Sequence, residues 1–150
     1  GMRFGFIGSG DSHDGHPGLA HVSSPTGGLA AILTGNRTRA GVLSALRARR
    51  VYATNGPRII LRTSLDGHRM GSTFPAPGTG ILRFLVSSEQ PIERIDIIRP
   101  NRPILQIIGD GARSWSFDGS IDGLEPGGYL YLRVVQTDDG AAWSSPFFFD

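Results

Sequence analysis

Asp11 and His13 are the residues whose types and spacing best suit metal coordination, because one residue separates them in a glycine-rich loop. They follow the apolar run Phe4-Gly-Phe-Ile-Gly8, which predicts a short buried strand over residues 3–9. Carboxylate and imidazole groups are ordinary ligands of divalent metals, and a buried strand that ends in Asp-x-His presents both at the strand end. We therefore predict that Asp11 and His13 form one corner of a metal site. The alternative is an Asx-type turn beside a solvated histidine.

Two further histidines, His16 and His21, lie in the same loop over residues 10–28. The spacing His13-x-x-His16, together with Asp11, would allow a zinc or nickel chelate, so His16 is a third candidate ligand. The alternative is that these histidines belong to an unstructured loop. We favour that alternative because ordering a loop costs about 1–2 kcal/mol per residue.

Composition excludes several classes of function. The 150 residues contain 15 basic residues, all of them Arg, and 13 acidic residues, which gives a net charge of +2. No Cys is present, so the chain has no disulfide, thiolate metal site or cysteine nucleophile. No basic run is longer than Arg49-Arg50, and we therefore expect no nucleic-acid partner. No apolar run reaches about 18 residues and no signal segment is present, so we expect a soluble protein of undetermined compartment with no membrane partner.

The pattern of apolar residues divides the chain at residue 57. Before it, residues 28–34 predict a second strand, and Asn36 or Thr38 caps a helix whose last turn carries Arg47, Arg49 and Arg50. After it, apolar and polar residues alternate in short runs separated by Gly, Pro and Asp turns, including a hairpin signal at Asp66-Gly67. We predict a mainly β protein. Its antiparallel β-sandwich, Ig-like or jelly-roll-like, spans residues 57–150 and follows a strand–loop–strand–helix segment over residues 2–56.

Two stretches of the sequence resemble the PHP (polymerase and histidinol phosphatase) superfamily of metal-dependent phosphoesterases. They are Ile7-Gly-Ser-Gly-Asp-Ser-His13 and the run from Thr38 through Val51-Tyr-Ala-Thr-Asn-Gly56. The ending, Gly-Tyr-Leu-Tyr-Leu-Arg-Val-Val-Gln136 and then Ala-Trp-Ser-Ser-Pro146, is similar to the last strands of larger members that carry an appended β-domain. The resemblance covers nearly the whole chain.

The resemblance implies a distorted seven-stranded barrel with two or three divalent metals, Zn, Mn or Fe, at the C-terminal ends of its strands. Four motifs supply the ligands in that family, and only the last, Asp-x-His, is matched here, by Asp11 and His13. Metal ions in such a site lower the pKa of a bound water. Because two protein ligands rarely retain a metal, we expect this chain to be inactive alone, with the alternative that it holds no metal.

Other residues have a functional and a structural interpretation. The helix is followed by Arg49, Arg50 and Tyr52, and an arginine at this place could bind a phosphate group. The alternative is that the arginines interact with the helix dipole, which accounts for their position equally well. Tyr129 and Tyr131 could line a sugar platform, although packing is the commoner role. His68 belongs to no sequence motif that suggests a catalytic or metal-binding site.

We therefore expect the C-terminal portion of a PHP-type hydrolase whose β-sandwich docks beside the barrel. The rival hypothesis is a non-catalytic β-sandwich module with a binding or structural role. Because an apolar N-terminal strand must be covered, we expect a homo-oligomer or an upstream barrel chain as the partner.

Overall fold

Two β-sheets and one short helix make up the described part of the chain. The computed structural model describes residues 1–10 and 27–150. In chain order the elements are β1 (Leu29–Ile32), α1 (Arg39–Arg47), β2 (Val51–Thr54), β3 (Ile60–Leu65), β4 (His68–Arg69), β5 (Thr73–Phe74), β6 (Gly78–Ser87), β7 (Ile92–Ile98), β8 (Leu105–Ile108), β9 (Ser114–Leu124), β10 (Tyr129–Gln136), β11 (Ala141–Ser144) and β12 (Phe147–Phe149). The mainly β prediction is confirmed.

The first sheet has eight strands in the order β1-β2-β11-β10-β12-β5, and β7 and β8 extend it from the other edge of β10. Every pair in it is antiparallel except β12 with β5, which is parallel. Strand β2 pairs with β11, so the hydrogen-bonded sheet runs across the predicted boundary at residue 57. That division of the chain into two domains stays a prediction.

The second sheet has four antiparallel strands in the order β4-β3-β6-β9. Its central strand β6 alternates as the sequence predicts: Leu82, Phe84 and Val86 are buried, whereas Ile81 and Leu85 are exposed. Strands β3 and β4 are joined at Asp66 and Gly67, which have φ values of 48° and 80°. Positive φ at both central residues is the geometry of a type I′ turn, which confirms the hairpin prediction at this position.

One hydrophobic core contains residues of both sheets. Burying each large aliphatic or aromatic side chain stabilises the fold by about 1.5–3 kcal/mol, so this shared core holds the two sheets together. Its main members are Tyr52, Ile95, Ile97, Leu130, Leu132, Val134, Phe147 and Phe149 from the first sheet and Leu61, Leu65, Leu82, Phe84, Val86 and Ile121 from the second.

The helix begins as predicted but ends earlier. Thr38 is the N-cap, and its side-chain oxygen accepts a hydrogen bond from the Gly41 N–H at 3.1 Å. The helix ends at Arg47, so the prediction that Arg49 and Arg50 lie in its last turn is wrong. Arg49 instead has φ of 54°, a left-handed conformation that stops the helix. Within the described residues no helix has the length and apolarity needed to cross a bilayer.

The prediction of a buried strand over residues 3–9 is also wrong. Residues 1–10 contain no strand, and Phe4 and Ile7 are 60% and 58% exposed. The physical reason is the place of this segment, which lies against a face of the first sheet, whereas ladder hydrogen bonds form in the plane of a sheet. The second predicted strand is confirmed as β1.

A buried ionic cluster links strands β7, β8 and β10 of the first sheet. Asp96 on β7 has no exposed surface, and its two carboxylate oxygens accept hydrogen bonds from Arg133 Nε at 2.7 Å and Gln106 Nε2 at 2.9 Å. Arg133 and Gln106 stand opposite Asp96 on β10 and β8. A buried carboxylate is tolerated because these donors replace water.

We expect Asp96→Asn to lower the free energy of unfolding by about 2–3 kcal/mol, because the substitution replaces a charge-assisted acceptor of Arg133 with an amide. Urea denaturation followed by circular dichroism measures the change. The matched control is Asp118→Asn, since Asp118 also accepts from an arginine on a neighbouring strand (Arg83 Nε, 2.8 Å) but is 63% exposed. The control should lose no more than about 1 kcal/mol. Equal losses in both variants would contradict the role given to Asp96.

Candidate functional site

Strand β2 is buried on both of its faces, which is unusual beside an edge strand such as β1. Val51, Tyr52, Ala53 and Thr54 are between 2% and 8% exposed. Tyr52 points into the shared core, whereas Val51 contacts the N-terminal segment, residues 1–10, through Gly5. The N-terminal segment therefore covers the outer face of the first sheet at β2.

A hydroxyl group and an aromatic contact help to hold the N-terminal segment to that face. The Phe6 N–H donates to Ser145 Oγ at 3.1 Å, and the Ser145 hydroxyl donates in turn to the Val51 carbonyl at 2.6 Å. The Phe6 ring packs edge-to-face on Tyr131, with ring centroids 5.3 Å apart. Ser145 thus connects the segment to β2 while satisfying a backbone donor that has no strand partner.

Gly8 and Gly28 allow the two ends of the glycine-rich loop to pack against each other. A methyl group at Gly8 would collide with the Leu29 carbonyl oxygen and lie 2.5 Å from the Thr54 carbonyl oxygen. A methyl group at Gly28 would lie 2.7 Å from Ser9 N. Both positions need the close backbone approach that only glycine permits.

The consequence is a closed loop base at the C-terminal end of β2. Leu29 and Thr54 are paired in the sheet, and Gly8 lies against both of them. Described residues on either side of positions 11–26 therefore lie close together, and Asp11 directly follows this base in the sequence. Holding the two ends of a chain segment together lowers the entropy cost of closing a loop between them.

The predicted ligands Asp11, His13 and His16, like His21, lie outside the described residues. Among residues 1–10 and 27–150, no group of three or more His, Asp or Glu side chains could hold a metal ion. The structure thus gives the attachment of the loop, and the ligand roles of its residues stay predictions.

Two of the residues after the helix, Arg49 and Tyr52, make structural contacts. The Arg49 Nε donates to the Gly71 carbonyl at 2.9 Å, and its guanidinium lies 5.6 Å from the centre of the Phe148 ring. The Tyr52 hydroxyl donates to the Ile59 carbonyl at 2.8 Å. Burial raises the pKa of Tyr52 above its usual value, and its hydroxyl faces the backbone of the chain. These contacts leave neither side chain directed at a phosphate.

Tyr129 and Tyr131 line an aromatic groove of about 260 Å³. Their rings stack with centroids 6.1 Å apart, and burial raises the pKa of Tyr131, with a further contribution from Tyr129. The other lining residues come from the N-terminal segment and the chain end: Met2, Phe4, Phe6, Pro146 and Phe148. Elsewhere, the ring of the exposed His68 stacks on that of Phe74 with centroids 4.0 Å apart, and it belongs to no metal-binding group among the described residues.

Sequence reasoning missed Ser145 and the close approach at Gly8 and Gly28. No periodic pattern marks Ser145, because its importance arises from a contact 139 residues away in the chain. The signal for the glycines was present, since a glycine-rich stretch indicates either a turn or a close backbone approach. The partner that requires the approach could not be identified before the pairing of β1 with β2 was known.

Comparisons with known proteins give similarity without a function. A family model described as "Protein of unknown function (DUF3604)" matches residues 18–73. The chain is 31% identical to an uncharacterized protein of Chlamydia pneumoniae over 170 residues, and 31% identical to one of Chlamydia trachomatis serovar D over 172 residues. A similar protein of Chlamydia muridarum is 30% identical. Each alignment covers 99% of this chain but 27% of the relative, so the chain spans about a quarter of the length of these proteins. No solved structure matches the chain.

We expect Gly8→Ala to lower the free energy of unfolding by about 1–3 kcal/mol, because the added methyl group must push the N-terminal segment away from β1 and β2. Thermal and urea unfolding measure the loss. Gly35→Ala is the matched control, since a methyl group at Gly35 meets no atom within 4 Å. A Gly8→Ala variant as stable as the control would show that the loop base is not closely packed.

Proposed function

We propose that this chain is the C-terminal portion of a PHP-type metal-dependent phosphoesterase and carries one corner of its metal site. In this proposal Asp11 and His13 are ligands in the intact enzyme, with His16 as a further candidate. The chain alone is inactive, because it contains one of the four ligand motifs that the resemblance implies. The other ligands belong to residues that these 150 do not include.

The observation that carries the proposal is the closed loop base. The Asp-x-His motif begins one residue after Gly10, and the chain is anchored on both sides of the loop by the packing of Gly8, Ser9 and Gly28 at the end of β2. A ligand pair attached to a fixed base has less freedom to lose on binding a metal than one on an unanchored tail. This chain spans 27% of the length of the relative from Chlamydia pneumoniae, so a protein of that length has room for a larger catalytic unit.

The donor set fits such a metal only as part of a larger site. An Asp carboxylate and a His imidazole suit Zn, Mn or Fe, but catalytic zinc commonly has three protein ligands. A bound ion would lower the pKa of a water and neutralise phosphate oxygens. Asp11 would orient that water or bridge two ions, while His13 would complete the coordination from the same loop.

The sheets would then form a β-sandwich docked beside the catalytic unit. Support comes from the shared core of the two sheets and from the N-terminal segment that covers the outer face of the first sheet at β2. We propose that this sandwich stabilises the unit and shapes substrate access.

Titration of the metal-free chain with Zn²⁺ tests the ligand roles. We expect binding weaker than that of closed structural zinc sites, whose binding free energies are about 10–16 kcal/mol, and we expect no hydrolysis of p-nitrophenyl phosphate by the chain alone. The Asp11→Ala/His13→Ala double variant should lose zinc binding, as measured by isothermal titration calorimetry and by elemental analysis after dialysis.

His68→Ala is the control, because His68 is exposed on β4 of the second sheet. This control should bind zinc as the native chain does. A separate His16→Ala variant shows whether His16 is a third ligand. Equal zinc affinity in the native chain and the double variant would contradict the assignment of Asp11 and His13.

The rival function, a non-catalytic module that binds a partner or self-associates, is favoured by exposed apolar residues at the N-terminus. Met2, Phe4 and Ile7 are 91%, 60% and 58% exposed, and Phe4 also lines the aromatic groove. Exposed apolar side chains of this size are typical of surfaces that a partner covers. In this alternative the N-terminal segment is the contact between copies of the chain.

Light scattering coupled to size-exclusion chromatography tests the rival function. A homo-oligomer should become a monomer in a Phe4→Ser/Ile7→Ser variant, because the substitutions remove the apolar surface of the contact. Ile108→Ser is the control, since Ile108 is 66% exposed on β8. A native chain that stays monomeric at every concentration would exclude association through the N-terminal segment.

A further inference from the structure

Two adjoining clefts meet beside the last residues of β1. The first, of about 450 Å³, is lined by Leu33, Arg62, Thr63, Ser64, Arg69, Arg83, Phe84 and Leu85. The second, of about 360 Å³, is lined by Leu33, Arg69 and Arg50 together with residues of the loop before α1 and its first turns. Leu33 and Arg69 belong to both, so the two form one continuous surface, which we call the arginine cleft. Each part has the volume of a small-molecule site.

Strand register places three arginines of this cleft on neighbouring strands of the second sheet. Ser64 on β3 stands directly opposite Arg69 on β4 and Arg83 on β6, so these three residues form a row across the sheet. Arg62 lies two residues before Ser64 and therefore projects from the same face. No two of these arginines stand directly opposite each other, but Arg62 and Arg83 are diagonal neighbours, about 7–8 Å apart and within reach of each other's long side chains.

Within the described residues, a counter-charge to these arginines is largely missing. Arg83 Nε donates to Asp118 at 2.8 Å, which neutralises one arginine. The side chains of Arg50, Arg62 and Arg69 make no hydrogen bond or ion pair with the other described residues. The described residues that line the two clefts include no Asp or Glu. Three guanidinium groups thus face a shared space in which no described lining residue carries a carboxylate.

The arginine cleft lies at the other end of β1 and β2 from the loop base. The loop base is at the pair Leu29–Thr54, whereas Leu33 and Arg50 flank the opposite pair, Ile32–Val51. Four residue steps along a strand separate Leu29 from Leu33, or about 13 Å. The cleft is therefore a separate feature from the loop that carries Asp11 and His13, and the inference below does not depend on the proposed phosphoesterase function.

We infer that the arginine cleft binds a small molecule with at least two phosphate-like groups. Planar guanidinium groups bind phosphate oxygens through paired hydrogen bonds, and their charge persists at every physiological pH. Arg50 serves one part of the cleft, Arg62 the other, and Arg69 stands between them. One anionic group can occupy each part, and the Ser64 hydroxyl offers a further donor. A single phosphate would engage only one part.

Calorimetric titration of the full chain with tripolyphosphate, in buffer free of divalent metals, tests this inference. We expect tripolyphosphate to bind at least about tenfold more tightly than monophosphate, because it can contact both parts of the cleft. Arg69→Gln should weaken tripolyphosphate binding by about tenfold or more. Arg113→Gln is the matched control, because it removes the same charge at an exposed position outside the cleft lining and should change the affinity less than about twofold. Thermal unfolding of each variant verifies that it folds.

Several outcomes would overturn the inference. Equal weakening in Arg69→Gln and Arg113→Gln would show attraction to net charge alone. Binding of a single-stranded oligonucleotide without binding of tripolyphosphate would assign the arginines to nucleic acid instead. The Asp11→Ala/His13→Ala variant should keep tripolyphosphate binding, and a loss there would place the anion in the loop and not in the cleft.

Discussion

The burial of β2 on both faces is the constraint on which the rest of the structure depends. One face of this four-residue strand belongs to the core shared by the two sheets, and the other lies under the N-terminal segment. Its backbone pairs with β1 on one side and β11 on the other. Because every side of β2 is in contact with another part of the chain, its position fixes the helix before it, the loop base at its end and the edge of the first sheet. The loop base and the arginine cleft lie at opposite ends of the β1–β2 pair.

Most of the elements could be predicted from sequence because their signals are local. Thr38 caps the helix, Asp66-Gly67 forms the turn that its residue types require, and the alternation of Leu82, Phe84 and Val86 identifies β6. Each of these features depends on neighbours within a few residues. The short strand β5 was missed, because two residues carry no period and this strand is defined by its parallel pairing with β12.

The errors concern places where distant parts of the chain decide the outcome. Phe4, Phe6 and Ile7 have the composition of a strand, but Gly5 and Gly8 bring the segment flat against a sheet face, where no ladder can form. Arg49 looked like a helix-terminal cation, yet its left-handed backbone directs the side chain to Gly71. For the candidate site, sequence supplied the residue types at Asp11 and His13, while the anchoring of their loop was visible only from the pairing of Leu29 with Thr54. The arginine cleft had no sequence signature, since its arginines are brought together by strand register.

The Ser145 hydroxyl, which accepts from Phe6 and donates to Val51, also imposes an order of assembly on the folding chain. Phe6 and Ser145 are 139 positions apart, and Arg3 pairs with Asp150 across 147 positions. Contacts of such sequence separation form late, because the entropy of closing the chain is lost before the contact compensates for it. The N-terminal segment is therefore expected to dock on the first sheet late in folding, once β2 and Ser145 are already in place.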